Sequence, residues 1–230
     1  MVLEKRSEEI LNAVIENFIK TGVPVSSGLL YKRYSFGIKP AMIRHELERL
    51  TDVGYLNQPY YSSGRIPSDK GYEFFADQIL NQELGVTLDN EIANCFAKKE
   101  WIKFLHLFSD RLGILGVLEP LEEDRVYKSG LENLISQISI ENQNIVQLII
   151  RDFEELDERM TYLKKEIEPE SSLQIFIGKK SPITDSPELS IVANWFRNQD
   201  EEILLLAIGP KRMNYKKVVK IIRGIKEINV

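Results

Sequence analysis

Three breaks govern the start of the chain: Thr21-Gly22 followed by Pro24, Gly37 followed by Pro40, and Gly54. Glycine readily adopts the left-handed backbone that ends helices, and proline is barred from a helix interior, so helices here must be short. Between the breaks the apolar residues keep helical spacing. Ile10, Leu11, Val14, Ile15, Phe18 and Ile19 define a first helix from Ser7 to Thr21, with Ser7 as N-cap and Glu8 and Glu9 in its first turn. Ser26 or Ser27 caps a second helix through Leu29, Leu30 and Tyr34, which Gly37 closes. Pro40 sits where the first turn of a third helix tolerates it, and Ile43, Leu47 and Leu50 form its core stripe.

After Gly54 the pattern changes to Tyr55-Leu56 and the turn-rich QPYYSSGRIPSDKGY. Ser62-Ser63-Gly64 can form a hairpin tip, with Pro59 and Pro67 holding the flanks at sheet edges, which reads as a two-stranded wing. Asp69 caps a further helix carrying Tyr72, Phe74, Phe75, Ile79 and Leu80. A first domain over 1–80, a boundary at 81–90 and a second domain over 91–230 follow. The second alternates helix and strand signals: a helix from Ile92 to Phe108, a strand at GILGVLEP, and helices from Gly130 to Gln137 and Asn144 to Ile167. Strands at LQIFIG, LSIVANWF and EEILLLAIGP come next, the last two separated by Asn198-Gln199-Asp200, and Asn214 caps a final helix. This is an α+β chain with a largely antiparallel sheet.

At 230 residues and 43% hydrophobic content there is material for two ordinary cores. The opening MVLEKRSEEI is charged where a signal peptide needs an apolar stretch, so a cytoplasmic protein is expected. A lone Cys95 forms no internal disulfide, and with His45 and His106 alone no metal-ligand cluster assembles; Cys95 reads as a small buried apolar residue, and no cofactor or metal is expected. The net charge of −5 speaks against nucleic-acid binding only as a total, because acid is dense after residue 80 and nearly balanced by base before it.

A helix-turn-helix lays its last helix in the major groove. With Ile43, Leu47 and Leu50 inward, the third helix offers Ala41, Arg44, His45 and Arg49, with Lys39 and Met42 at its leading edge. Arg44 has the fork for guanine or phosphate, although pairing with Glu48 on a solvated face accounts for it equally well. Ser26 and Ser27 at the second helix, and Tyr60, Tyr61, Ser62 and Gly64 at the wing, supply hydroxyls and backbone to phosphate, and Arg65 places a long cation on the wing tip.

The segments EEILNAVIENFIKTGVPVSS, KPAMIRHELERL, GYLNQPYYSSGRIPSDKGYEFFAD, RVYKSGLENLI and IGPKRMNYKKV resemble the family of heat-inducible transcription repressors called HrcA. The resemblance implies a winged helix-turn-helix followed by a GAF-like regulatory and dimerisation domain. It also implies a homodimer on an inverted-repeat operator near chaperone genes, and the GroE chaperonin as folding partner. Three departures accompany it. Only about twenty residues separate Gly113 from Asn133, where the family commonly carries a dimerising insert, so the GAF-like domain is reduced. Gly28 stands where the family usually has Arg, and Lys39, Met42 and His45 replace Ser, Thr and Asn, so a related but altered operator is expected. Without the insert, the apolar faces of the helices at 72–80 and 92–108 are the expected contributors to the dimer, with intramolecular core as the alternative for either.

An enzyme would need a base beside a nucleophile, a metal cluster or a phosphate loop, and none can be read here. The carboxylates Glu122, Glu123 and Asp124 read as a solvated turn. The remaining alternatives to a repressor are a metabolite-responsive regulator whose GAF-like domain holds a ligand, and an adaptor whose winged helix binds protein.

Overall fold

The computed structural model describes residues 3–86, 89–123, 125–138, 143–166, 173–197 and 202–228. The chain divides into two compact units, Met1–Gln78 and Ile79–Val230.

In the first unit, helices α1 (Lys5–Thr21), α2 (Ser27–Arg33) and α3 (Pro40–Asp52) precede an antiparallel pair, β1 (Leu56–Asn57) and β2 (Ile66–Pro67), and helix α4 (Asp69–Asn81) begins beyond it. The core is the stripe read from the sequence: Ile10, Leu11, Val14, Leu30, Ile43, Leu47 and Leu50 are all buried. Each such side chain contributes about 1.5–3 kcal/mol on leaving water. Two caps differ from expectation. Helix α1 starts at Lys5, and Ser7, fully buried, instead donates from Oγ to Glu46 Oε2 (2.9 Å), tying α1 to α3. Ser68, not Asp69, caps α4, its Oγ accepting from Gly71 N (3.1 Å). Helix α2 ends at Arg33, before Gly37, whose left-handed backbone (φ 68°) serves the connector.

The second unit holds helices α5 (Asn90–Ala97) and α6 (Trp101–Leu112), strands β3 (Leu115–Pro120) and β4 (Tyr127–Ser129), and helices α7 (Leu131–Gln137), α8 (Gln143–Glu154) and α9 (Leu156–Glu166). Strands β5 (Gln174–Ile177), β6 (Leu189–Arg197) and β7 (Glu202–Pro210) and helix α10 (Tyr215–Ile228) complete it. Its five-stranded sheet runs β4-β3-β7-β6-β5, every neighbouring pair antiparallel, with Val117 opposite Leu206 and Val192 opposite Ala207. Both faces are covered. Leu115, Val117, Ile191, Leu204, Leu206 and Ile208 meet Leu134, Ile149, Leu156, Met160 and Leu163 of α7, α8 and α9. On the other face Phe196 lies 4.9 Å from Phe96 of α5, and Ser190 Oγ accepts from Tyr215 Oη of α10 (2.9 Å). Burial on both sides explains why EEILLLAIGP reads as a continuous apolar run without alternation.

The single helix expected over 92–108 is two, broken where Lys99 takes φ 58° between α5 and α6. The helix expected over 144–167 is likewise split at Glu155, between α8 and α9; its last residue, and the Asn198-Gln199-Asp200 turn, lie outside the described residues, as does Asp124. RVYKS, assigned no structure from the sequence, contains β4, which Ser109 Oγ of α6 stitches in by donating to Ser129 O (2.8 Å) while accepting from Gly116 N of β3 (3.1 Å). The apolar faces expected to dimerise are inside the chain: Tyr72, Phe75 and Ile79 of α4, and Ile92, Phe96, Phe104 and Phe108 of α5 and α6, are all buried.

Charge is also buried here. Asp152, whose side chain is 4% exposed, meets Arg159 Nη1 at 3.2 Å and accepts from the backbone amides of Asp185 and Ser186 (3.0 and 3.2 Å). Arg159 reaches Asp185 as well (2.8 Å), and that hydrogen bond holds the Asp185 carboxyl below the usual carboxylate range. Lys164 pairs with the buried Glu119 of β3 at 2.6 Å. Burial pushes the Cys95 thiol above its ordinary range. Among the described residues no helix is long and apolar enough to cross a membrane, and no group of His, Cys, Asp and Glu could hold a metal.

Candidate nucleic-acid interface

A cleft of about 630 Å³ lies within the first unit, between α3 and the β1–β2 hairpin. Ser26, Ser27, Arg44, Tyr61, Ser62, Gly64 and Arg65 all line it, together with Leu47, Glu48, Gln58 and Ser63. Residues from three separate stretches of sequence thus share one concave surface.

The third helix delivers the first of these. Pro40 opens α3 without needing an amide partner, and the buried stripe turns Ala41, Met42, Arg44 and His45 outward, where all are exposed. Lys39 occupies the N-cap without a side-chain capping bond and is exposed too. Arg44 Nε meets Glu48 Oε1 at 3.3 Å and His45 Nδ1 lies 3.7 Å from Glu48 Oε2, so a single carboxylate serves both groups. The Arg44 and Glu48 side chains are 77% and 44% exposed, and an ion pair that open contributes under about 1 kcal/mol. Lys39, Ala41, Met42 and His45 lie on the outer surface of α3 and are not among the residues lining the cleft. Arg49 faces elsewhere: its Nη2 bonds Ser7 Oγ and Glu46 Oε2, which places it against α1.

The hairpin is built differently from its sequence reading. Its tight turn spans Tyr60 to Ser63, closed by Ser63 N donating to Tyr60 O (3.0 Å), with Ser62 in the left-handed region at φ 69°. Tyr60 and Tyr61 are therefore the tip, and Tyr61 is 96% exposed. Gly64 and Arg65 are beyond the turn, in the returning arm. There Arg65 N donates to Val25 O and Val25 N to Arg65 O, both at 2.8 Å, an antiparallel bridge that the sequence reading missed. Gly64 permits the approach, because a Cβ at that position would sit 2.6 Å from the Val25 backbone. Arg65 is consequently half-buried rather than waving on a mobile tip, and its Nε donates to Thr51 Oγ1 at the end of α3 (2.9 Å). Ser26 is also partly occupied, its Oγ accepting from Leu29 N (3.2 Å) as the cap of α2.

Val25, Thr51 and Gln58 shape the cleft or its arginine, and none stood out in the sequence. The one signal available was the β-branched Val25, a residue type that favours extended backbone.

Relatives of known name cover much of this ground. The heat-inducible transcription repressor HrcA of Clostridium botulinum (strain Eklund 17B / Type B) is 44% identical over 157 residues, 66% of this chain and 46% of that protein. The one from Alkaliphilus metalliredigens (strain QYMF) is 45% identical over 91 residues, 40% of this chain and 26% of that protein. The matches therefore span less than half the length of these curated relatives. A crystal structure of a hypothetical protein superposes with a TM-score of 0.80 at 14% identity, covering 99% of this chain and 98% of that one, a likeness of fold alone. The family model described as the HrcA protein C terminal domain matches residues 74–219, more than half of the sequence, and on that match the chain belongs to the HrcA family.

Proposed function

We propose that the chain is a transcription repressor that binds double-stranded DNA through its first unit. In this reading α2 and α3 form the helix-turn-helix, the β1–β2 hairpin is the wing, and α3 enters the major groove with Arg44 toward base edges. Lys39, Ala41, Met42 and His45 face the duplex from the outer surface of α3, and Tyr60 and Tyr61 reach phosphate or the adjoining minor groove from the hairpin tip. The second unit, a reduced GAF-like domain, carries regulation and pairing of two copies, since an inverted-repeat operator calls for a two-fold dimer. The name of the relatives, heat-inducible repressors, makes heat-shock genes the proposed targets.

One observation carries the reading: Arg44, Arg65 and the hydroxyls of Ser26, Ser27 and Tyr61 converge on one cleft from three segments. Phosphate recognition needs that convergence of cations and hydroxyl donors, whereas a solvated surface scatters them. Selection from random duplex DNA tests it. Enrichment of an inverted repeat is expected, and a pool that stays random after repeated selection would reject the reading.

A further inference from the structure

The two arginines of the cleft differ in what holds them. Arg44 rests on Glu48, an exposed carboxylate on its own helix. Arg65 pairs with no carboxylate among the described residues; its Nε is held instead by a neutral hydroxyl, Thr51 Oγ1, at 2.9 Å. That hydroxyl has its own proton committed, donating to Leu47 O at 2.8 Å, so a lone pair is left to accept from Arg65. At the other end of the side chain, the Arg65 backbone is fixed by its two hydrogen bonds with Val25. The stem is thus anchored at both ends, with full positive charge kept.

We propose that Thr51 is a positioning residue that presets Arg65 as a fork for a backbone phosphate of duplex DNA. This rests on the DNA-binding reading and adds to it a division of labour. With Nε occupied, the two terminal nitrogens remain for the phosphate, and two parallel N–H groups match its oxygens. A long side chain immobilised before binding loses less freedom on binding, a saving of about two- to tenfold in affinity. A hydroxyl does this without neutralising the cation, which a carboxylate at residue 51 would do.

The test compares full-length wild type, Thr51→Val, Thr51→Ser, Arg65→Ala and the Thr51→Val/Arg65→Ala double variant on one fixed duplex across a potassium chloride series, alongside exchange of the Arg65 Nε–H by NMR. Thr51→Val is expected to weaken binding about two- to tenfold, to flatten the log–log salt slope by up to about 0.9, the value of one phosphate contact, and to speed Nε–H exchange. Thr51→Ser should behave as wild type, and Thr51→Val should add nothing to Arg65→Ala. Wild-type affinity and slope in Thr51→Val, with both reduced in Arg65→Ala, would overturn the positioning role and leave the DNA reading intact. No duplex binding by wild type would remove both. If Thr51→Val fails to fold, the wild-type Nε–H decides: protection from exchange supports the role, and exchange at the solvent rate overturns it.

Discussion

The two units of this chain use charge in opposite ways. In the first, Arg44, His45 and Glu48 form an open cluster on one helix turn, held by contacts that water can replace. In the second, Asp152 and Glu119 are each about 96% withdrawn from solvent and met by Arg159 and Lys164. An exposed pair exchanges partners at little cost, so it suits a surface that must meet a ligand. A buried pair tolerates no exchange, because breaking it strands a desolvated charge, and so it fixes architecture.

Removing the buried partner is the strongest way to test that contrast. Arg159→Ala should destabilise the protein by about 3 kcal/mol near neutral pH, by leaving Asp152 buried and unpaired. Asp185, held low by Arg159, adds stability above the ordinary carboxylate range that is lost as pH falls through its depressed value. The gap between wild type and variant should therefore narrow on acidification. Urea titrations at several pH values measure both effects, and a gap that widens in acid would contradict the assignment.

Gly64→Ala should have a smaller effect, about 2 kcal/mol, by forcing a methyl against the Val25 backbone. Because the strain falls on the wall of the cleft, duplex binding should weaken together with thermal stability, unlike Arg159→Ala, whose folded fraction should bind normally. The smallest effect on stability belongs to Glu48→Gln, under about 0.5 kcal/mol by chemical denaturation. Its effect on binding should be opposite in sign: Arg44 and His45 lose their shared carboxylate, affinity for any duplex rises, and the salt slope steepens by up to about 0.9. Unchanged duplex affinity in Glu48→Gln would show that these groups do not meet the duplex.

The same contrast sets what could be read from the sequence. Local patterns were legible: the stripe Ile43, Leu47, Leu50, the cap Asn214 and the apolar strands β6 and β7 follow from periodicity and turn chemistry. Outward placement of Arg44 and His45 follows from that stripe as its complement. Long-range partnerships were not legible. Ser7 has the residue type of a cap, yet its oxygen is used by Glu46 and Arg49, 39 and 42 positions away. Lys98-Lys99-Glu100 carries no glycine or proline, so nothing marked the break between α5 and α6. Arg65 was assigned to the tip because Gly64 suggests a turn, whereas that glycine answers to Val25, a neighbour far off in sequence.

The Val25–Arg65 bridge also constrains how this sequence can drift. Side chains alternate along extended backbone, so adding or deleting one residue between Tyr61 and Gly64 can be absorbed in the turn, which faces open water. The same change between Gly64 and Ile66 would slip the pairing by one and send the arginine to the opposite side of its strand. Length changes are therefore tolerated within the turn, while the spacing from Gly64 onward is inherited as a fixed length.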